Sequence, residues 1–149
     1  MNGKRNILIF KFPRANSTQT IHSPVELLDI YPTLIDLTQL PKNPLNEGRS
    51  LLPLMQGSKE DWSLAITTYG RDNHSLINQT YRYIHYEDGS EELYDLSIDP
   101  DERNNLADRI DSGPIKQAMM NRIPKLNVPW SAHSYNTVNK YFKRTSNSK

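Results

Sequence analysis

Short blocks of apolar and polar residues follow one another along this chain, and their spacing predicts both strands and helices. Residues 65–69 and 81–86 are rich in β-branched and aromatic side chains, which predicts two strands. Residues 87–90 contain Asp88-Gly89 and predict a hairpin turn, because Asp-Gly tolerates the positive φ of such turns. Residues 91–96 are then the expected return strand.

Three helices are predicted beside these strands. The first runs from Asp29, its expected cap, to about Leu40, with an apolar stripe along one side. The second is short, over residues 51–55. The third follows Pro114 and covers residues 115–123, because proline is well accepted in the first turn of a helix.

An apolar run near the start has no counterpart elsewhere in the sequence. Residues 7–12, ended by Pro13, predict a strand buried on both faces, as in the interior of a parallel sheet. No second run of that kind is present to pair with it. The predicted fold class is therefore α+β, a small antiparallel sheet with flanking helices plus one orphan strand of a larger α/β sheet.

Composition narrows the classes of partner and chemistry. The chain has 149 residues, enough for one domain, and only 36% of them are apolar. A net charge of +1 gives no field that would select nucleic acid or an anionic membrane, so neither is expected as a partner. The absence of cysteine excludes disulfides, thiolate metal sites and cysteine nucleophiles.

The most specific part of the sequence is the stretch after the hairpin turn. The return strand at residues 91–96 is followed by an acidic turn at 99–102 and by residues 104–107, interpreted as a capped helix start. Together with residues 23–34 and 47–54, this order resembles the C-terminal region of type I sulfatases, and residues 68–75 resemble a motif of bacterial iduronate-2-sulfatase-like members.

The resemblance runs from about residue 8 to residue 128 and implies a division of the chain. Residues 1–20 would be a remnant strand and loop of the large sulfatase domain. Residues 21–128 would be the C-terminal subdomain of the alkaline-phosphatase-like sulfatase fold. Residues 129–149 show no periodicity and are expected to be loop or disordered tail.

The catalytic parts of such an enzyme are not in this sequence. The family uses a formylglycine made from Cys or Ser in a C/S-x-P/A-x-R motif, and a calcium ion held by acidic pairs. Neither the motif nor those pairs in their family context are present here. We therefore predict no catalytic residue, no metal ligand and no cofactor in this chain, while calcium and formylglycine are implied for the intact enzyme.

Candidate binding residues lie between the two strand signals, in a polar loop that begins at Gly70. Arg71 offers a planar fork to sulfate or carboxylate oxygens, and His74 can hydrogen-bond a sugar hydroxyl. The resemblance implies that this loop, with Asn73, faces the substrate pocket of the intact enzyme. A solvated turn is the alternative. Ile77 stands where many relatives carry Arg, so one cation of their pattern is absent.

The sequence thus predicts the C-terminal part of a sulfatase that shapes the pocket for a sulfated sugar, with a missing N-terminal catalytic half as partner. Two alternatives stay open: a non-catalytic module that binds sulfated glycans, and a structural remnant. Intact relatives are usually periplasmic, secreted or lysosomal. No signal peptide is visible in the sequence, and the compartment is unknown.

We expect this chain alone to hydrolyse no sulfate ester, because the parent chemistry needs a covalent nucleophile activated beside a metal. Sulfate release from an aryl sulfate and from a sulfated disaccharide measures this. Release that disappears when the purified protein is heat-denatured would contradict the prediction.

Overall fold

A four-stranded antiparallel sheet with the strand order β1-β2-β3-β4 forms the centre of the computed structural model, which describes residues 7–13, 18–58 and 64–125. The strands are β1 Ala65–Thr68, β2 His74–Ile77, β3 Tyr81–His85 and β4 Glu91–Asp95. The helices are α1 Ile30–Thr38, α2 Leu52–Met55 and α3 Gly113–Met120. The predicted tail at 129–149 lies outside the described residues.

The core lies on one face of the sheet. Leu76, Tyr83 and Leu93 are directly opposite one another across β2, β3 and β4, and all three are fully buried. Met119 of α3 and Ala107 pack on this row, so the helix covers the face. Burial of side chains this large supplies most of the favourable free energy of folding.

The predicted hairpin is confirmed between β3 and β4. Gly89 has a φ of +83°, which a residue without Cβ adopts at little cost. The Gly89 N–H donates to the Tyr86 carbonyl at 2.9 Å, and the Tyr86 N–H donates to the Ser90 carbonyl at 3.0 Å. The turn therefore fixes the register in which Tyr83 lies opposite Leu93.

No strand was predicted at β2, yet this strand pairs with both β1 and β3. It has four residues and begins with His74 and Ser75, two types that carry little strand preference. Ladder pairing on both sides and the burial of Leu76 hold it, and neither effect can be read from local sequence.

The helix start expected at residues 104–107 is wrong. Asn105 Oδ1 accepts hydrogen bonds from the backbone N–H groups of Leu93 and Ala107, each at 2.9 Å. The Leu106 N–H donates to the Leu93 carbonyl at 2.8 Å. The segment therefore pairs with the outer edge of β4 instead of beginning a helix, which leaves that edge covered.

Residues 7–12 form no strand, contrary to the expectation of a buried one. The side chains of Ile7 and Ile9 are 84% and 80% exposed. Phe10 alone of this run packs against a small cluster that contains Leu51 and Leu54. An extended segment needs a strand edge to become part of a sheet, and the described residues offer it none.

Polar contacts hold α1 more than its predicted apolar stripe does. Asp29 Oδ1 accepts from the Arg49 N–H at 2.8 Å, and Asp29 Oδ2 accepts from the Glu26 N–H at 3.0 Å. Thr33, fully buried, accepts from the Leu51 N–H at 2.8 Å. By contrast, Leu34, which the sequence pattern places in the apolar stripe with Ile30 and Leu37, is 48% exposed.

The ends of the helices differ slightly from expectation. Helix α1 ends at Thr38, where Gln39 takes up a left-handed conformation. Helix α3 begins at Gly113, two residues earlier than predicted, and Pro114 lies in its first turn. No helix among the described residues is long and apolar enough to cross a membrane.

Gly48 lies where two backbone segments come very close. A Cβ at this position would lie 2.1 Å from the Leu28 carbonyl oxygen. We expect Gly48→Ala to lower the free energy of unfolding by about 1–3 kcal/mol, because backbone would have to move.

Gly113→Ala is the matched control for Gly48→Ala. A Cβ there meets nothing within 4 Å, and the residue is helical, so the substitution should be neutral or mildly stabilising. Urea denaturation of both variants measures the difference. Equal stability of the two would contradict the close contact at Gly48.

Candidate functional site

The β1–β2 loop and the β3–β4 turn lie at the same end of the sheet and are joined by Asn73. Asn73 Oδ1 accepts from the Glu87 N–H at 3.3 Å, and Asn73 Nδ2 donates to the Arg71 carbonyl at 2.7 Å. The Tyr69 N–H closes the loop by donating to the Asn73 carbonyl at 2.9 Å. The Asn73 side chain therefore holds the shape of the loop with both of its polar ends.

Two residues of this loop have positive φ, Gly70 at 71° and Asp72 at 54°. Aspartate tolerates this conformation better than most residues with a Cβ. The resulting sharp turn places the Arg71 side chain in solvent, 55% exposed.

Arg71 is the cation of the candidate site. Its Nε lies 3.3 Å from Asp72 Oδ2. An ion pair this exposed contributes little to stability, because water screens it. The guanidinium can therefore exchange Asp72 for a sulfate or carboxylate group at small cost.

His74 is the first residue of β2 rather than part of the loop, and it is only 4% exposed. Its Nδ1 lies 3.0 Å from Thr68 Oγ1 on β1. Burial is the main cause that lowers the pKa of His74, the nearby His85 lowers it further, and Asp72 opposes the shift. The ring is therefore neutral at neutral pH and has one nitrogen left for another partner.

A polar row crosses all four strands at this end of the sheet. Thr68, His74, His85 and Glu91 are neighbours in register, on the face that carries the core. We call these four residues the polar row. His85 Nδ1 is buried and has no hydrogen-bond partner among the described residues.

Glu91 ends the polar row and connects it to α3. Its Oε2 accepts from Lys116 Nζ at 2.6 Å, and its Oε1 accepts from the Tyr83 hydroxyl. These hydrogen bonds lower the pKa of Glu91, and the bond from Lys116 has the larger effect. Glu91 is thus half-buried and paired.

Tyrosines on the opposite face are held by a second carboxylate. Glu92 accepts from the Tyr86 hydroxyl at 3.1 Å and from the Tyr94 hydroxyl at 2.9 Å. Burial and the Glu92 contact raise the pKa of Tyr94 to about 12. The hydroxyl groups are thus engaged within the sheet, as cross-strand packing requires.

The acidic turn after β4 uses its carboxylates for the backbone. Asp99 Oδ2 accepts from the N–H groups of Arg103 and Asn104, at 2.9 Å and 2.8 Å.

Within residues 7–13, 18–58 and 64–125, no group of three or more His, Asp or Glu could hold a metal ion. The described residues therefore do not fit the calcium ion that the resemblance implies for an intact enzyme.

Solved structures with the same fold define the class of this protein. A 2-O GAG sulfatase matches 80% of this chain, over 25% of its own length, with a TM-score of 0.50 and 25% identity. A protein solved with its substrate D-glucosamine-2-N,6-O-disulfate matches 62% of this chain and 22% of its own, with a TM-score of 0.55 and 24% identity. The fold is that found in alkaline-phosphatase-like sulfatases.

The sequence assigns the family within that class. Residues 2–128 match the family described as N-sulphoglucosamine sulphohydrolase, C-terminal. The chain therefore belongs to this family of C-terminal sulfatase domains, as the resemblance predicted.

Curated relatives are also sulfatases. A sulfatase of Formosa agariphila is 42% identical over 138 residues, which cover 91% of this chain and 27% of that protein. A Delta 4,5-hexuronate-2-O-sulfatase of Bacteroides thetaiotaomicron is 38% identical over 93 residues, which cover 54% of this chain and 19% of that protein. The chain spans about a quarter of the length of curated relatives that it matches.

Sequence reasoning named Arg71, Asn73 and His74 together, and the structure brings them to one end of the sheet. It missed Thr68, the hydrogen-bond partner of His74. Their pairing depends on the β1–β2 register, which was not predicted because β2 was not predicted.

The lowered pKa of His74 predicts a pH-dependent stability. The unfolded chain binds a proton at His74 near the ordinary value of 6.5, whereas the folded chain resists it. The free energy of unfolding should therefore fall as the pH drops from about 7 to about 5.

Replacing His74 tests this pH dependence. We expect His74→Gln to flatten that part of the stability profile, as measured by urea denaturation at a series of pH values. His22→Gln, at an exposed position, is the control and should leave the slope unchanged. An identical slope in both variants and the original chain would contradict the assignment.

Proposed function

We propose that this chain forms the C-terminal part of a sulfatase that hydrolyses sulfate esters of sugars, and that Arg71 and His74 contact the substrate. The observation that carries the proposal is the family match over residues 2–128. The similarity to a Delta 4,5-hexuronate-2-O-sulfatase favours a sulfated uronate as the sugar.

Arg71, His74 and Asn73 each have a distinct role in this proposal. Arg71 is exposed and weakly paired, so its guanidinium binds an anionic group of the substrate. His74 offers its remaining ring nitrogen to a sulfate or hydroxyl oxygen. Asn73 positions both Arg71 and His74, because its amide holds the loop against the β3–β4 turn.

The catalytic part of the enzyme, with its formylglycine and calcium ion, would pack against α1 and the turn before it. Four apolar side chains are 47–83% exposed there: Leu27, Leu28, Tyr31 and Leu34. Clustered apolar side chains on a soluble protein commonly mark a contact surface. Their position on one short segment makes this the surface that we propose for the contact.

A chimeric enzyme tests the role of Arg71. This chain replaces the matching region of the Bacteroides thetaiotaomicron Delta 4,5-hexuronate-2-O-sulfatase, and a Δ4,5-unsaturated disaccharide with a 2-O-sulfate is the substrate. Arg71→Ala should lower kcat/KM roughly 10- to 100-fold, the effect of losing a hydrogen bond to a charged group.

Arg103→Ala is the matched control in the chimera. Arg103 is also exposed and paired with a nearby aspartate, but it lies in the turn that follows the far end of β4. It should leave kcat/KM unchanged. Equal kcat/KM for the two variants, both folded by circular dichroism, would assign the loop to a solvated turn.

A further inference from the structure

Thr68 stands in a position to control the chemistry of His74. It is the last residue of β1, next to the loop, and its Cα is paired with that of His74. Thr68 Oγ1 lies 3.0 Å from His74 Nδ1. A β-branched side chain on a strand has few χ1 rotamers, so the hydroxyl oxygen has a well-defined position.

The tautomer of His74 decides what the ring can offer a ligand. Because burial keeps the ring neutral, it carries one N–H, on either Nδ1 or Nε2. If Nδ1 carries the proton, Nε2 is an acceptor and repels sulfate oxygens. If Nε2 carries the proton, Nε2 is a donor and can bind a sulfate or hydroxyl oxygen.

We propose that Thr68 is a positioning residue that holds His74 in the tautomer with the proton on Nε2. The hydroxyl donates a hydrogen bond to Nδ1, which is then the unprotonated acceptor nitrogen. Nε2 presents an N–H donor to a sulfated sugar, so this proposal rests on the proposed function of His74. No bond is made or broken, and the ring stays neutral.

Thr68 is exposed, so its hydroxyl can also contact water, but among the described residues His74 Nδ1 is its one hydrogen-bond partner. The carboxylate of the polar row, that of Glu91, already accepts from Tyr83 and Lys116. His85 also lies between Glu91 and His74 in register, so Glu91 is not the neighbour of the His74 ring.

Long-range proton–nitrogen NMR of the histidine rings tests the tautomer in this chain without any ligand. At a pH above the titration of His74, the spectrum should show the proton on Nε2. Thr68→Val removes the donor and keeps the shape of the side chain. It should reduce the ratio of the Nε2–H to the Nδ1–H form roughly fivefold, the effect of one ordinary hydrogen bond.

Two further variants separate this effect from general loss of structure. Thr68→Ser restores a hydroxyl and should restore the tautomer ratio. Thr67→Val makes the same change on the opposite face of the same strand, and the His74 signals should not move. An Nδ1–H form in the original chain, or an unchanged ratio in Thr68→Val, would overturn the proposal.

The chimeric enzyme separates failure of this proposal from failure of the proposed function. With the 2-O-sulfated disaccharide, Thr68→Val should lower kcat/KM roughly fivefold and Thr68→Ser should recover it. If the tautomer shifts but kcat/KM does not, then His74 does not donate to the substrate. In that case Thr68 has no positioning role in catalysis. The NMR measurement of the His74 tautomer and the Arg71→Ala measurement test their own claims independently.

Discussion

The Tyr83 side chain joins the apolar core to the polar end of the sheet, and the arrangement of the domain depends on it. Its ring is fully buried between Leu76 and Leu93, while its hydroxyl donates to Glu91. Glu91 in turn accepts from Lys116, so one chain of hydrogen bonds links β3, β4 and α3. A buried phenol needs such a partner, because an unsatisfied hydroxyl would oppose the burial of the ring.

The hydrogen bonds between Tyr83, Glu91 and Lys116 also explain why polar candidate binding residues can lie next to the apolar core. Glu91 is engaged by Tyr83 and Lys116, and the neighbouring rings of His85 and His74 are packed beside it in the polar row. The loop that carries Arg71 is then attached to a rigid strand end rather than to a loose connection. Rigid supports of this kind are what position binding groups on a scaffold.

Local chemistry predicted some elements of this fold well. The β3–β4 hairpin followed from Asp88-Gly89 and from two strands of strong β-type composition, and the first turn of α3 followed from Pro114. Elements that depend on distant partners were not predictable in this way. Strand β2 is held by its neighbours on both sides, and Asn105 caps no helix because its amide bonds to β4. The same holds for the candidate site. Arg71 and His74 could be predicted from their residue types, whereas predicting Thr68 would have required the register between β1 and β2.

The pairing of residues 105 and 106 with the outer strand has a consequence for assembly. At the opposite edge, the Ile66 N–H donates to Glu26 Oε1 at 2.8 Å, so a carboxylate takes the place of a strand carbonyl there. Backbone groups at both edges of the sheet thus already have hydrogen-bond partners. These partners are Leu106 and Asn105 at the β4 edge and Glu26 at the β1 edge. Growth of the sheet by an added strand from another molecule is disfavoured at both margins. Where these backbone groups are occupied, contacts with other molecules depend on side chains, and therefore on shape and charge rather than on backbone ladders.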